Sequence, residues 1–88
     1  MTISFQHSYK KDFKRYRHNT KALAAIRETL TLLTGGQPLP AKHKEHALIG
    51  KYAGYTECHC LPDLLLIYQK TDAELKLARL GSHSELFF

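Results

Sequence analysis

The sequence predicts a single α+β domain in which two N-terminal helices pack on one face of a small twisted antiparallel β-sheet. Three observations support this prediction. The chain has 88 residues, which suits one hydrophobic core. Apolar residues recur at helical spacing up to residues 35–36, whereas short extended segments follow Pro38 and Pro40. The loops between those segments are too short for parallel crossovers, so antiparallel pairing is expected.

The first half of the chain should contain one strand and two helices. Residues 2–7 alternate enough for a short strand, after which Ser8 is expected to cap a helix. The apolar positions of that helix are Tyr9, Phe13 and Tyr16. Asn19 or Thr20 should cap a second helix, which ends at residues 35–36, both glycine. Its predicted buried positions are Leu23, Ile26, Leu30 and Leu33.

The second half should contain four short strands separated by turns. They are predicted at residues 47–49, 55–60, 64–70 and 74–80. The run from Leu64 to Tyr68 is apolar at every position, which predicts a central strand covered on both sides. Leu75 and Leu77 are expected beside it in the core.

The charge balance favours an anionic partner. The chain has 13 Lys and Arg against 8 Asp and Glu, with 6 His. Basic residues concentrate on the first helix, where an RNA contact and a merely solvated face are both open; they are Lys10, Lys11, Lys14 and Arg15. No apolar run is long enough for a signal peptide or a membrane span. A cytoplasmic protein with no membrane partner is therefore expected.

Cys58 and Cys60 flank His59, but this arrangement does not predict a zinc site. Side chains alternate along a strand, so the cysteines project to one face and His59 to the other, together with Glu57. A disulfide across one residue would be strained, so both cysteines are expected to be free thiols in a reducing compartment. No metal ion or other cofactor is predicted.

Two charged residues have both a structural and a functional interpretation. Asp63 follows proline at the start of the central strand, which is a common turn arrangement. Strict alternation places Arg79 on the same face as Leu75 and Leu77. If Arg79 belongs to a functional site, its side chain must escape burial under the helices, either through a β-bulge or because the strand extends past its helical cover.

Two histidines are similarly ambiguous when taken singly. Ser82 and Glu85 have the spacing of a capping box, which would start a terminal helical turn at His83. That interpretation makes His83 a surface residue, and His46 could be no more than a loop residue.

Taken together, however, these residues could cleave RNA without a metal. The reaction needs a base for the ribose 2′-hydroxyl, an acid for the departing 5′-oxygen and a cation for the phosphate. Histidine suits proton transfer near neutral pH, and the arginine fork matches phosphate oxygens. The chain supplies His46, His59, Asp63, Arg79 and His83.

The order of these residues resembles the YafQ-type branch of the RelE toxin superfamily. The combination H…H-x-x-P-D…R-x-G-[ST]-H-x-x-L-F extends over roughly residues 39–87 and is far more specific than any of its parts. The N-terminal helices agree in kind but carry little motif. Relatives often have an aromatic residue after the Pro-Asp pair, where this chain has Leu64.

This resemblance implies a microbial-RNase-like fold and a type II toxin that cleaves mRNA in the ribosomal A site. The implied partners are mRNA on the ribosome, ribosomal RNA and a cognate antitoxin of the RelB or DinJ kind. The residues that coincide with the family's active-site positions are His46, His59, Asp63, Arg79, His83 and Phe87.

The resemblance also implies roles. His83 and Asp63 would carry out the proton transfers, in a direction that the sequence leaves open. His46 and His59 would orient these groups or share protons with them, and Arg79 would stabilise the phosphate in the transition state. Substrate would be bound by Phe87, which would stack on a base, and by Lys44.

Two other classes of function stay open at this point. A toxin of the same fold could bind a protein target such as gyrase without catalysis, although members of that kind lack the histidine set. A plain RNA-binding module would use the basic helix and would bind in a salt-sensitive way. Gyrase-linked DNA breaks would indicate the former, and RNA binding that survives loss of His83 the latter.

Overall fold

The computed structural model describes residues 1–87 and confirms the α+β class. In chain order the elements are β1 (Thr2–Phe5), α1 (His7–Phe13), α2 (Thr20–Thr34), β2 (His46–Ala47), β3 (Thr56–Leu61), β4 (Leu64–Lys70), β5 (Glu74–Gly81) and α3 (His83–Phe87). Single 3₁₀ turns at Ala41–His43 and Gly50–Tyr52 lie on either side of β2. The strands form one sheet in the order β1-β5-β4-β3-β2. None of the helices in this part of the chain is long and apolar enough to cross a membrane.

Helix α1 begins and ends earlier than the sequence suggests. It starts at His7, and Gln6 precedes it without a side-chain cap. The predicted cap, Ser8, lies inside the first turn, where its hydroxyl donates a 2.6 Å hydrogen bond to the carbonyl of Ala78. Beyond the helix the backbone N–H groups bond three residues back rather than four, so Tyr16 lies in a series of tight turns.

Helix α2 matches its predicted boundaries. The cap is Asn19, whose side-chain oxygen accepts a 3.0 Å hydrogen bond from the N–H of Ala22. The helix ends before two glycines, of which Gly36 has a φ of +73°. Its buried residues are Ala22, Ile26, Thr29 and Leu33. Leu23 and Leu30, also predicted to be buried, are half-buried and line an apolar groove between β1, α1 and α2.

The sheet is antiparallel except at one edge, where β1 pairs in parallel with β5. This departs from the predicted all-antiparallel sheet. Both helices follow β1, so no hairpin joins β1 to a neighbouring strand, and it pairs instead with the last strand, from Thr2 opposite Glu74 to Phe5 opposite Leu77. Strand β2 ends at Ala47, earlier than predicted, because the chain turns away from the sheet towards a left-handed glycine at position 50.

Both faces of the sheet are covered, as the central run predicts. Every residue from Leu64 to Tyr68 is at most 3% exposed. The face under α1 and α2 includes Cys58, Cys60, Leu64, Leu66, Tyr68, Leu75, Leu77 and Leu80. A smaller core on the opposite face contains Leu65, Ile67, Ala78 and Leu86, with Leu48, Tyr52 and Tyr55 packed against it. The candidate site lies beside this smaller core.

Candidate active site

Four residues form a row across the site-bearing face of the sheet. His46 on β2 is opposite Glu57 on β3, Glu57 is opposite Ile67 on β4, and Ile67 is opposite Arg79 on β5. Opposite residues of antiparallel strands project to the same face. His46, Glu57 and Arg79 therefore share one face although they are far apart in sequence.

A β-bulge in β5 brings Arg79 to this face. Ile67 pairs with Arg79 whereas the next residue, Tyr68, pairs with Leu77, so Ala78 is an extra residue in the ladder. The bulge reverses the alternation after Leu77, whose side chain lies in the helix-side core. The sequence allowed either a bulge or a strand extending past its helical cover to turn Arg79 away from the helices, and the structure contains the bulge.

Asp12 on α1 holds the Arg79 guanidinium in place. Its carboxylate accepts hydrogen bonds of 2.7 Å from Nε and 3.3 Å from Nη2 of Arg79, and one of 3.0 Å from the N–H of Leu80. The remaining nitrogen, Nη1, donates a 2.9 Å bond to the hydroxyl of Tyr52. The bond to Asp12 raises the pKa of Arg79 above its ordinary value, so the cation is permanent.

Asp63 and His83 meet at one end of the sheet. The start of β4 pairs with the end of β5, so the residue before β4 and the residues after β5 lie side by side. One oxygen of Asp63 accepts a 3.1 Å bond from the N–H of His83 and lies 3.2 Å from its Nδ1. These two bonds, the backbone bond first, hold the pKa of Asp63 below its ordinary value.

The predicted capping box fixes the helix that carries His83. The Ser82 N–H donates a 2.8 Å bond to Glu85, and the Glu85 N–H donates a 3.2 Å bond to the Ser82 hydroxyl. Glu85 also accepts a 2.6 Å bond from the hydroxyl of Tyr16 and forms a 3.6 Å ion pair with Arg15. The basic segment of the chain is thus connected directly to α3.

His59 lies beside His83, on the face opposite the cysteines as predicted. The two imidazole centroids are 5.7 Å apart. Nδ1 of His59 is 3.1 Å from the carbonyl oxygen of Pro62, so Nδ1 is placed to donate its hydrogen to that oxygen. Cys58 and Cys60 are buried free thiols in the helix-side core.

Glu57, to which no motif in the sequence assigns a role, connects the remaining histidine to the site. It is only 3% exposed, and one of its oxygens lies 3.5 Å from Nε2 of His46 and 3.8 Å from Nε2 of His59. Nδ1 of His46 is 2.8 Å from the carbonyl oxygen of Lys44. Alternation placed Glu57 beside His59, but its cross-strand contact with His46 required the register of β2.

Aromatic residues form the border of the site. The Phe87 ring is 48% exposed and lies 6.3 Å from the His83 ring and 6.2 Å from the Tyr52 ring, centroid to centroid. Tyr52 in turn contacts Tyr55 edge to face at 6.4 Å. Phe87 therefore offers an open face for stacking, whereas Leu64 is buried in the helix-side core.

The predicted basic contacts are all exposed. Lys10, Lys11, Lys14 and Arg15 lie on and just after α1. Lys44 is also exposed and adopts a left-handed conformation, with a φ of 47°. Of these residues, Arg15 reaches α3 through its ion pair with Glu85.

The fold and the sequence comparisons together place this domain in the class of bacterial toxins. The family model described as a bacterial toxin of type II toxin–antitoxin systems, YafQ, matches residues 1–88. The chain belongs to this YafQ family.

Three similar proteins illustrate the relationship. The mRNA interferase toxin YafQ of Escherichia coli K12 is 38% identical over 86 residues, which cover 97% of this chain and 94% of that protein. YafQ in the E. coli DinJ–YafQ complex is 36% identical with a TM-score of 0.85, covering 98% of this chain and 97% of the other. A metal-bound toxin from Helicobacter pylori is 42% identical with a TM-score of 0.86, covering 99% of each chain.

Proposed function

We propose that this protein cleaves mRNA on the ribosome and thereby stops translation. The observation that carries the proposal is the contact of His83 with both Asp63 and His59, next to the exposed ring of Phe87. These groups can exchange protons with a bound ribose phosphate while a base stacks beside them. The E. coli relative that is named an mRNA interferase supports the same activity.

The charge of Asp63 gives a direction to the proton transfers, because its carboxylate, with a pKa held below the ordinary value, is ionised at neutral pH. A carboxylate that stays ionised at neutral pH can accept a proton but cannot supply one. Asp63 therefore takes the proton of the 2′-hydroxyl, and His83 donates a proton to the departing 5′-oxygen. The 2′-oxygen attacks phosphorus, the bond to the 5′-oxygen breaks, and the products are a 2′,3′-cyclic phosphate and a 5′-hydroxyl.

The other residues support this reaction. His59 shares protons with His83, and His46 is oriented through Glu57. Arg79 stabilises the charge that grows on the phosphate, from an orientation that Asp12 and Tyr52 maintain. Phe87 stacks on a base of the codon, and Lys44 contributes positive charge to substrate binding.

The cleavage is metal-independent, because the chain's own imidazole, carboxylate and guanidinium groups supply every charge and proton that the reaction needs. The test must retain magnesium, which the ribosome requires. An mRNA with a single 2′-deoxynucleotide at the cleaved position should resist cutting, and the all-ribose RNA should yield 2′,3′-cyclic phosphate ends. Cutting of the deoxy-substituted RNA at the normal rate would contradict attack by the 2′-hydroxyl.

Two substitutions test the assigned residues in a reconstituted translation reaction. His83→Ala should slow cleavage by about 10²–10⁴-fold, as expected for loss of a proton donor. Arg79→Ala should slow it by about 10²–10³-fold. The matched controls are His18→Ala and Arg17→Ala, which remove exposed residues of the same types outside the site. Near-normal cutting by folded His83→Ala protein would refute the proposal, and gyrase-linked DNA breaks without mRNA cleavage would replace it.

We also propose an antitoxin partner and a cytoplasmic location, where ribosomes translate mRNA. The E. coli relative has been solved in complex with DinJ. In this chain an apolar groove of about 630 Å³ lies between β1, α1 and α2, with Lys10 and Arg27 among its lining residues. An acidic amphipathic antitoxin segment fits that combination of apolar surface and positive charge. A small acidic protein encoded next to this chain's gene would support the pairing, and failure of that protein to bind would contradict it.

A further inference from the structure

We infer that His43 is a positioning residue for the cleavage reaction, because its buried ring holds the stretch of backbone from which His59 projects towards His83. The inference rests on the proposed function, since it concerns how the proposed site keeps its shape. The hydrogen bond of His43 and the spacing of the two other rings can nevertheless be measured without any cleavage.

His43 differs from the other histidines in its burial. It is only 2% exposed, whereas the other five are half-buried or exposed. It is the last residue of the 3₁₀ turn Ala41–His43, and its Nδ1 lies 2.7 Å from the carbonyl oxygen of His59. A carbonyl oxygen can only accept a hydrogen bond, so Nδ1 is the donor. The bond therefore joins the segment before β2 to β3.

The carbonyl that accepts this bond belongs to an irregular part of β3. Strands β3 and β4 pair regularly up to His59, and their register shifts before Leu61, so Cys60 is an extra residue in the ladder. A bulge of this kind interrupts the regular hydrogen bonding and lets the strand bend. The bond from His43 is made to the peptide group between His59 and the extra residue. It therefore restrains the backbone at the point that sets the direction of the His59 side chain.

The direction of that side chain matters because the proposed reaction needs His59 beside His83. The two imidazole centroids are 5.7 Å apart, and Asp63 holds His83 independently of β3. Rotation of the His59 peptide group would move only one of the two rings and so separate them. Proton transfer requires hydrogen-bond reach, and a displacement of about 1 Å can slow a reaction about 10²-fold.

The same bond connects the two histidines that contact Glu57. Lys44 directly follows His43, and its carbonyl oxygen lies 2.8 Å from Nδ1 of His46. One oxygen of Glu57 lies 3.5 Å from Nε2 of His46 and 3.8 Å from Nε2 of His59. His43 thus joins the two segments from which these imidazoles approach a single carboxylate.

The second ring nitrogen of His43 indicates that packing alone does not account for this residue. Nε2 is buried and has no hydrogen-bond partner among residues 1–87. A buried polar atom without a partner destabilises a fold, so an apolar side chain would fill this position at a lower cost in free energy. The bond that Nδ1 donates to β3 is therefore the contribution that requires a histidine here.

Asparagine and glutamine at this position separate the hydrogen bond from packing. Asparagine places its amide nitrogen near the position of Nδ1, whereas glutamine places it near that of Nε2 but is closer to histidine in volume. In single-turnover cleavage of ribosome-bound mRNA, His43→Asn should stay within about threefold of wild type and His43→Gln should be about 10–100-fold slower. A packing role predicts the reverse order, because glutamine leaves the smaller cavity. A rate for His43→Gln equal to or above that of His43→Asn would overturn the positioning role.

NMR spectroscopy of the free chain tests the geometry without cleavage. Nitrogen chemical shifts of the wild type should show the hydrogen on Nδ1 of His43, and an NOE should connect the rings of His59 and His83. That NOE should persist in His43→Asn and be lost in His43→Gln. A wild-type hydrogen on Nε2 alone would overturn the inference even if His43→Gln does not fold, and so would an unchanged NOE in folded His43→Gln. Absence of cutting by wild-type protein that shows these signals would instead contradict the proposed function.

Discussion

The hydrogen bonds of Asp12 make a quantitative prediction possible. Asp12 is 5% exposed and accepts two bonds from Arg79 and one from the N–H of Leu80. Asp12→Asn keeps the volume of the side chain but removes its charge and turns an amide towards the guanidinium or the Leu80 N–H. Hydrogen bonds to charged groups contribute about 1.5–3 kcal/mol each, but Arg79 retains partial access to water. The free energy of unfolding should therefore fall by about 2–3 kcal/mol in total.

The same substitution should affect activity through Arg79. Loss of its anchor lets the guanidinium move by an ångström or more, so ribosome-dependent cleavage should slow by about 10–100-fold. This loss should be smaller than that of Arg79→Ala, because the cation itself is still present. Denaturant unfolding measures the stability, and single-turnover cleavage measures the rate.

Two comparisons make the test specific. Asp72→Asn removes an exposed carboxylate elsewhere and should change neither quantity. In an Arg79→Ala background, Asp12→Asn should cause almost no further loss of cleavage rate, because the residue through which it acts is gone. Wild-type stability and activity in Asp12→Asn, or a fully additive loss in the double mutant, would refute the positioning role.

Three further predictions concern α3, the exposed ring and the basic segment. The bond from Tyr16 holds the pKa of Glu85 below its ordinary value of 4.5. Ionised Glu85 therefore stabilises the folded state above pH 4.5, and this stabilisation is lost as the pH falls through the lowered folded-state pKa. Tyr16→Phe should remove most of that dependence, measured from the NMR shifts of Leu86 between pH 6 and 3; an identical profile in wild type and mutant would contradict it. Phe87→Ala should weaken substrate affinity by about 1–3 kcal/mol with little change in saturated single-turnover rate, and a change in rate alone would argue against stacking. Reversal of charge at Lys11 and Lys14 should weaken ribosome association and its salt dependence, while unchanged co-sedimentation with ribosomes would indicate a merely solvated helix face.

Local patterns predicted much of the fold. The apolar run of β4 predicted its boundaries and its burial on both faces, because such a run fits only a strand without a solvent-exposed side. Asn19 and the Ser82–Glu85 pair predicted two helix starts, since capping depends on neighbouring residues. The parallel pairing of β1 was missed because nothing local distinguishes which strand an isolated edge strand will join.

The motif identified the proposed site residues, but it did not predict the contacts that support them. Asp12 and Arg79 are 67 residues apart, and within the sequence Asp12 looked like a lone acid among basic residues. Glu57 acquires its role only when β2 is placed in register beside it. His43 is another example: it lies buried in the 3₁₀ turn before β2, with Nδ1 2.7 Å from the carbonyl oxygen of His59. Such contacts depend on how distant segments meet, which residue spacing does not encode.

The extra residue in β5 has a consequence for how this chain tolerates change in length. Before Ala78, Leu77 packs in the core under the helices. After Ala78, the Arg79 side chain projects from the opposite face of the sheet. An in-frame loss of the Ala78 codon would make Leu77 and Arg79 consecutive residues, so that regular alternation alone would keep them on opposite faces and leave Leu80 facing the helices. The strand can therefore lose this one residue without changing which side chains face the helices, whereas an alignment that ignores a one-residue gap here would pair residues that project to opposite faces.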